Sequence, residues 1–342
     1  MVTPEAASYG LLDEVTYLTE RPVAFVGHFD AAYLALPREV LLASMAKHQR
    51  VFAVQRKAGQ LLPTFIAVTE GKPKKLDAVR RTFEHILNAR LADAMLFWEQ
   101  DRMRSLKAMA AQVSGVTFHE KLGSMAEKQA RLQQLAPLLV SIWSLSSEET
   151  QRLLRACELA KADLASTMVK EFPTLQGVMG KHYALAQGEP REVAEALEEQ
   201  YLPLAGKSPK TLIGQALSML DKYDTLAGYF AIGIEPTGDQ DPFGLRRAAQ
   251  GVVEVAWRIH RPLPLDRLLF THQAGARRDN ARPELKASAN NVKQYLFERL
   301  YTFAWPRPAD DDRRPPQQSL PTGRGGGPAP PPSVDCLDAV LS

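Results

Sequence analysis

From about Lys75 to residue 303 the apolar residues recur at helical spacing, and this sustained rhythm constrains the fold more than any other feature of the chain. Val79, Phe83, Ile86, Leu87, Leu91, Ala94, Met95 and Trp98 form one stripe. A second helix carries Leu122, Met125, Leu132, Leu135, Leu139, Ile142 and Trp143. Ser146 and Glu149 stand at capping-box spacing for a third, whose inner face runs Leu153, Cys157, Ala160, Leu164 and Met168 until Pro173 stops it. Further helices are expected at 190–200, 210–230, 242–259 and 288–301. Residues 75–303 therefore read as an all-α domain.

Residues 1–74 have a different character. Pro22–Gly27, Val51–Gln55 and Leu61–Val68 are strand-like, and Gly59 between the last two predicts a hairpin. Pro37 suits the first position of a short helix ending near Lys47 and His48. The fold class expected is α+β and predominantly α-helical, with a mixed α/β fragment leading the helical domain. Nine of the 24 prolines and a GRGGG run fall in residues 304–342, a composition too poor in aliphatic residues to offset chain entropy. That tail is expected to be disordered. The two cysteines, Cys157 and Cys336, lie too far apart in sequence for a metal knuckle or a disulfide framework. The start lacks an apolar segment behind basic residues, and no apolar run approaches the ~20 residues of a membrane span. A cytoplasmic protein with no membrane contact is expected. A formal charge of +3 is too mild to announce nucleic-acid binding.

Six collinear segments carry a specific resemblance. They are GHFDAAYLALPREVLLASMAKHQRVFAV (27–54), ARLADAMLFWEQD (89–101), FHEKLGSMAEKQARL (118–132), KADLASTMVKEFPTLQGVMGKHYA (161–184), DKYDTLAGYFAIGIEPTGDQDPFGLRRAAQG (221–251) and YLFERL (295–300). Together they resemble the β subunit of bacterial heterotetrameric glycyl-tRNA synthetase, as an internal piece of it. The resemblance implies a tRNA(Gly)-recognising component of glycine-tRNA ligase, an aminoacyl-tRNA synthetase of protein biosynthesis. Its partners would be the α subunit, a second β subunit and tRNA(Gly). It implies no cofactor on this chain, with ATP, Mg and glycine held by the α subunit. In agreement, no HIGH-like or KMSKS-like pair, no class II motif and no GxxxxGK[ST] loop can be placed. The family is longer at both ends, and the match is expected to stop near Leu300.

The middle of that family resembles the HD superfamily, in which a His, a His-Asp pair and a later Asp hold metal. Here the pair falls at Ala162-Asp163, without the histidine, and the later acid at Asp221, while Lys128 falls near the first histidine position. Two carboxylates beside an ammonium hold a divalent ion poorly. The resemblance thus implies a degenerate HD-type domain with no metal and no catalytic residue, Asp163 and Asp221 being vestigial. The plainer reading pairs these acids with Lys161, Lys181 or Lys222. A metal-dependent nucleotide phosphohydrolase is the rival from another class, and a non-functional fragment is a third reading.

Three local features remain. In DPFGLRR, Asp241 reads as an N-cap and Pro242 as a first helical residue, so Arg246 and Arg247 fall where the helix dipole disfavours cations. Either they pair with Asp239, Asp241 or Glu254, or they grip a tRNA phosphate beside exposed amides. Lys181, His182 and Tyr183, bracketed by Gly177, Gly180 and Gly188, read as a loop offering a cation, a donor and a stacking face to unpaired RNA, or as an ordinary connection with Tyr183 packed inward. His28, Asp30 and His48 can be drawn as a metal triad, and Lys72, Lys74, Lys75, Arg80 and Arg81 read as a solvated face.

Overall fold

The structure, a computed structural model, describes residues 1–5, 10–236, 241–259, 261, 265, 268 and 283–304. The chain forms two compact units, Met1–Met109 with Ala162–Gly188, and Ala110–Lys161 with the residues from Glu189 onward. The division differs from a break at residue 75, because the 27-residue helix that opens there belongs with the sheet before it.

The first unit is built on three antiparallel strands, β1 (Pro22–His28), β2 (Phe52–Gln55) and β3 (Leu61–Glu70), in the order β1-β3-β2. The β2–β3 turn uses Gly59 at φ 86°, a conformation that suits glycine. Gly27 is needed for a different reason: a Cβ there would collide with the Phe65 ring. Helix α1 (Leu11–Leu18) sets Leu11 and Val15 against Phe52, Ile66 and Val68. Helix α2 (Arg38–Ala43) starts just after Pro37 and runs on into a wider turn at Ser44–His48. Helix α3 (Leu76–Arg102) buries Leu87, Leu91, Ala94 and Trp98 of the predicted stripe, and its Phe83 meets Phe25 of β1 edge-on at 5.4 Å. Ile86, on the same predicted stripe, stays 41% exposed.

The predicted third helix breaks before Pro173. After helix α4 (Leu106–Gln112) and helix α5 (Met125–Trp143), helix α6 (Ser147–Leu159) opens with the expected Ser146–Glu149 capping box but ends at Leu159. Ala160 turns extended and Lys161 takes φ 62°. A single helical turn at Ala162–Ala165 and helix α7 (Thr167–Glu171) follow, so Leu164 and Met168 leave the α6 face. Helix α8 (Val178–Ala186) corrects the loop expected around Lys181, His182 and Tyr183. The span expected to be wholly helical also contains a small hairpin, β4 (Thr117–His119) with β5 (Gly123–Ser124). Alternating polarity over so few residues is too short a signal to read.

The second unit is helical around one central element. Helix α9 (Arg191–Glu199), helix α10 (Leu212–Ala231), helix α11 (Leu245–Ile259) and helix α12 (Pro283–Ala304) join α5 and α6, and α10 packs against all five. It is buried on every side, as a helix at the centre of a core must be. Ala304 closes α12, and the remainder of the expected tail lies outside the described residues. Among the described residues no helix is long and apolar enough to cross a membrane.

Candidate functional site

Four polar side chains of the central helix, Ser218, Asp221, Lys222 and Asp224, are buried with its apolar ones. Such groups persist in a core only when paired. Asp221 and Asp224 stand one helical turn apart on α10, and Lys128 and Arg131 stand one turn apart on α5, so the two acids face the two bases. Lys128 Nζ lies 3.0 Å from Asp224 Oδ2 and 3.3 Å from Asp221 Oδ1, and also donates to the Asp221 carbonyl at 2.9 Å and to Thr225 Oγ1 at 2.8 Å. Arg131 grips Asp224 through Nε at 2.6 Å and Nη2 at 3.1 Å, the bidentate geometry that guanidinium favours. Lys161 Nζ donates to Asp221 Oδ2 at 3.0 Å and sits 3.8 Å from the centre of the Tyr201 ring.

Lys161 reaches this position because the chain reverses there with a left-handed residue, which costs a non-glycine residue about 1–2 kcal/mol. Gln129 stabilises the reversal, its Nε2 donating to the carbonyls of Glu158 at 3.0 Å and Ala160 at 2.5 Å. Burial works to raise the Asp221 pKa, but the ammonium groups of Lys128, Lys161 and Lys222 outweigh it and hold the carboxyl below its ordinary value. Lys222 points the other way, donating to the Gln200 and Leu202 carbonyls and to Ser218 Oγ. Burial pushes its pKa down to about 7. Burial likewise pushes the Cys157 thiol up to about 12, leaving it unreactive.

Asp163 has another role. Its Oδ2 accepts from the backbone amides of Gly177 at 2.5 Å and Gly180 at 3.3 Å, satisfying the first turn of α8, while its carbonyl accepts from Ser166. The two positions expected to be vestigial thus lie in different compact units, each engaged by groups of its own unit. The expected lysine pairing holds for Asp221 with Lys161. Asp224 and Arg131 complete a cluster of which sequence reasoning finds Lys128, Lys161 and Asp221. The signal is present in the chain: KxxR at 128–131 and DxxD at 221–224 are complementary patterns at one-turn spacing.

The other candidates separate clearly. Tyr183 is fully buried, donates to Asp101 Oδ2 at 2.9 Å and stacks on Trp98 at 5.4 Å, which removes it as a face for an unpaired base. His182 Nε2 meets Glu39 Oε2 at 2.9 Å, and that hydrogen bond, working against partial burial, holds Glu39 below its ordinary pKa. Lys181 is half-buried beside them. His28 lies beside Thr64, Asp30 caps a short turn at Ala32, and His48 packs on Phe172. Among the described residues no three His, Cys, Asp or Glu side chains are placed to share a metal ion.

Arg246 and Arg247 stand at the start of α11, which begins at Leu245 rather than at Pro242. Asp241 still caps it, Oδ1 accepting from the Leu245 amide at 2.6 Å and Oδ2 from the Arg246 amide at 3.0 Å. Both oxygens of Asp241 are therefore engaged by backbone. Glu254 accepts from Ser208 and from Arg258 at 3.1 Å. Among the described residues neither guanidinium has an ion-pair partner, and Arg246 Nε is buried without a hydrogen bond. Asp239, the third acid weighed against them, lies outside the described residues.

The family model described as glycyl-tRNA synthetase beta subunit matches residues 3–311, carrying the match beyond Leu300. The glycine--tRNA ligase beta subunit of Shouchella clausii is 45% identical over 260 residues, covering 75% of this chain and 38% of the relative. That of Syntrophomonas wolfei is 44% identical over 294 residues, covering 85% of this chain and 42% of the relative. That of Streptococcus equi subsp. zooepidemicus is 44% identical over 261 residues, covering 76% and 38%. The chain thus spans about two fifths of the length of these relatives. On a match that takes in nearly all of its described residues, the chain belongs to the glycyl-tRNA synthetase beta subunit family.

Proposed function

We propose that this chain is a tRNA-contacting part of glycine-tRNA ligase that carries no reaction centre of its own. Attachment of glycine, with its ATP and Mg, takes place on an α subunit, and the chain works in the cytoplasm beside that subunit, a second β copy and tRNA(Gly). The observation that carries the RNA-contacting role is the pair Arg246 and Arg247. They stand at a capped helix start, without carboxylate partners among the described residues, although the helix dipole opposes cations there. A phosphate is the partner that would compensate both, through guanidinium forks. Lys181 is a secondary candidate.

The central cluster fits the loss of metal binding that the degenerate HD-type reading expects at Asp221. The ammonium groups of Lys128 and Lys161 sit on the oxygens of Asp221, so the carboxylate that would ligate an ion is already neutralised by protein cations. This disfavours the phosphohydrolase reading. Replacing Arg246 and Arg247 together by alanine is expected to weaken binding of tRNA(Gly) and to lower the salt slope by roughly one unit per lost phosphate contact. Titrations of the double variant at several salt concentrations measure both. An unchanged slope would remove these arginines from the interface. Stoichiometric transition metal in the purified protein, with turnover of nucleotides, would favour the hydrolase instead.

A further inference from the structure

The hairpin β4–β5 places His119 in an aromatic cluster with two residues from distant parts of the second unit. Its ring meets Tyr229, near the end of α10, at 5.2 Å and Phe243 at 5.7 Å, while Tyr229 and Phe243 lie tilted against each other at 4.6 Å with 32° between their planes. Tyr229 is 4% exposed and forms the floor, whereas Phe243 is 42% exposed. A large ring that is well supported from below and open above is poorly explained by packing alone. His119 adds a polar rim: its Nδ1 accepts from the Lys121 amide at 3.2 Å, which puts the proton of the neutral ring on Nε2 as a donor.

The charge beside this ledge is positive and has no ion-pair partner among the described residues. A Cβ on Gly244, which takes φ 67°, would lie 3.0 Å from Arg247 Nη2, so that guanidinium folds over the residue next to Phe243. Arg247 is exposed, and the adjacent Asp241 carboxylate is consumed by two backbone amides. An open π face next to a guanidinium that has no ion-pair partner among the described residues matches a ligand that carries a flat ring and a negative charge a few ångströms apart. A nucleotide unit of single-stranded RNA has that form. We infer that Phe243 and His119, seated on Tyr229, are a stacking ledge for an unpaired RNA base whose flanking phosphate is taken by Arg246 and Arg247. This rests on the RNA-contacting role proposed above and adds to it a preference for unpaired over paired nucleotides.

The test uses the full chain with a labelled oligoadenylate octamer and an abasic octamer of the same backbone charge, followed by fluorescence anisotropy. The wild type is expected to bind the base-bearing octamer more tightly than the abasic one. Phe243→Leu should lose about five-fold or more on the base-bearing octamer, in keeping with the energy of one base-aromatic stack, and nothing on the abasic one. Phe243→Trp should retain binding, which guards against reading a misfolded variant as a lost contact. The double alanine variant of Arg246 and Arg247 should weaken both probes with a shallower salt slope. Equal wild-type affinity for the two octamers, or a Phe243→Leu variant that weakens both alike, would overturn the ledge. Should Phe243→Leu change nothing while the arginine variant weakens binding, the ledge fails and the RNA-contacting role stands. Should neither variant matter, or neither octamer bind, as for a surface that meets protein, both readings fall.

Discussion

Lys222 carries its ammonium group into the interior with three oxygen acceptors around it, yet burial holds its pKa at about 7, against 10.5 for a free lysine. The native state therefore loses this proton before the unfolded state does. Below pH 7 both states are protonated and the cost of burying the charge is felt in full. Between about pH 7 and the unfolded value, stability rises with pH by up to about 1.4 kcal/mol per unit. Lys222→Met should abolish that rise, seen as urea midpoints that no longer climb between neutral and mildly alkaline buffer. A variant climbing as steeply as the wild type would place the titration elsewhere. Asp163 gives a second prediction at this scale. Its carboxylate satisfies two buried amides of α8, so Asp163→Ala should cost roughly 1–3 kcal/mol in urea unfolding while bound metal content stays the same. A loss of divalent ion on that change would show that the acid is a ligand after all.

Among the elements, α10 organises the helical unit. Buried all round, it depends on close approach of its neighbours. Glu199 at the end of α9 accepts from the Lys210 and Thr211 amides and from the Thr211 hydroxyl around the α10 start, and a Cβ on Gly214 would collide with its carboxylate. On the other side, α11 passes over the Lys222 side chain at Gly251, where a Cβ would come within 2.6 Å of the lysine stem. The α5–α10 contact includes buried ion pairs. Removing Asp224 takes the carboxylate from Arg131 and leaves Lys128 with Asp221 alone, an excess of buried positive charge, so Asp224→Ala should cost on the order of 3–5 kcal/mol. Adding Lys128→Met to that variant should recover part of the loss, because the excess of buried positive charge then falls by one. Calorimetry on the two variants reads the difference, and a double variant no more stable than the single one would mean that the Lys128 charge is not in excess after the loss of Asp224.

At the scale of the whole molecule, both units are discontinuous in sequence, since residues 162–188 return to the sheet-bearing unit after an excursion through α5 and α6. A shortened chain beginning at residue 75 would keep α3 but lose the strand whose Phe25 faces Phe83. Such a truncation should expose the apolar face of α3 and show a broad, non-cooperative thermal transition by circular dichroism. A sharp transition at the temperature of the full chain would make the helical part independent of the sheet. The same discontinuity explains why the change of apolar rhythm near Lys75 marks a change of secondary structure and does not mark the boundary between units.

What the sequence determined alone was whatever depends on neighbours within a few turns: the long helices, the three strands, the hairpin glycine, the capping box at Ser146 and the collinear segments of the family. Periodicity and turn chemistry are local, so they survive in one dimension. The tertiary structure decided the rest. Nothing local distinguishes Tyr183 buried on Trp98 from Tyr183 open to RNA, or tells that Lys161 would swing back onto Asp221 after α6 stops short. Those outcomes follow from which distant side chains share a low-dielectric interior, where an unpaired charge costs more than a broken helix.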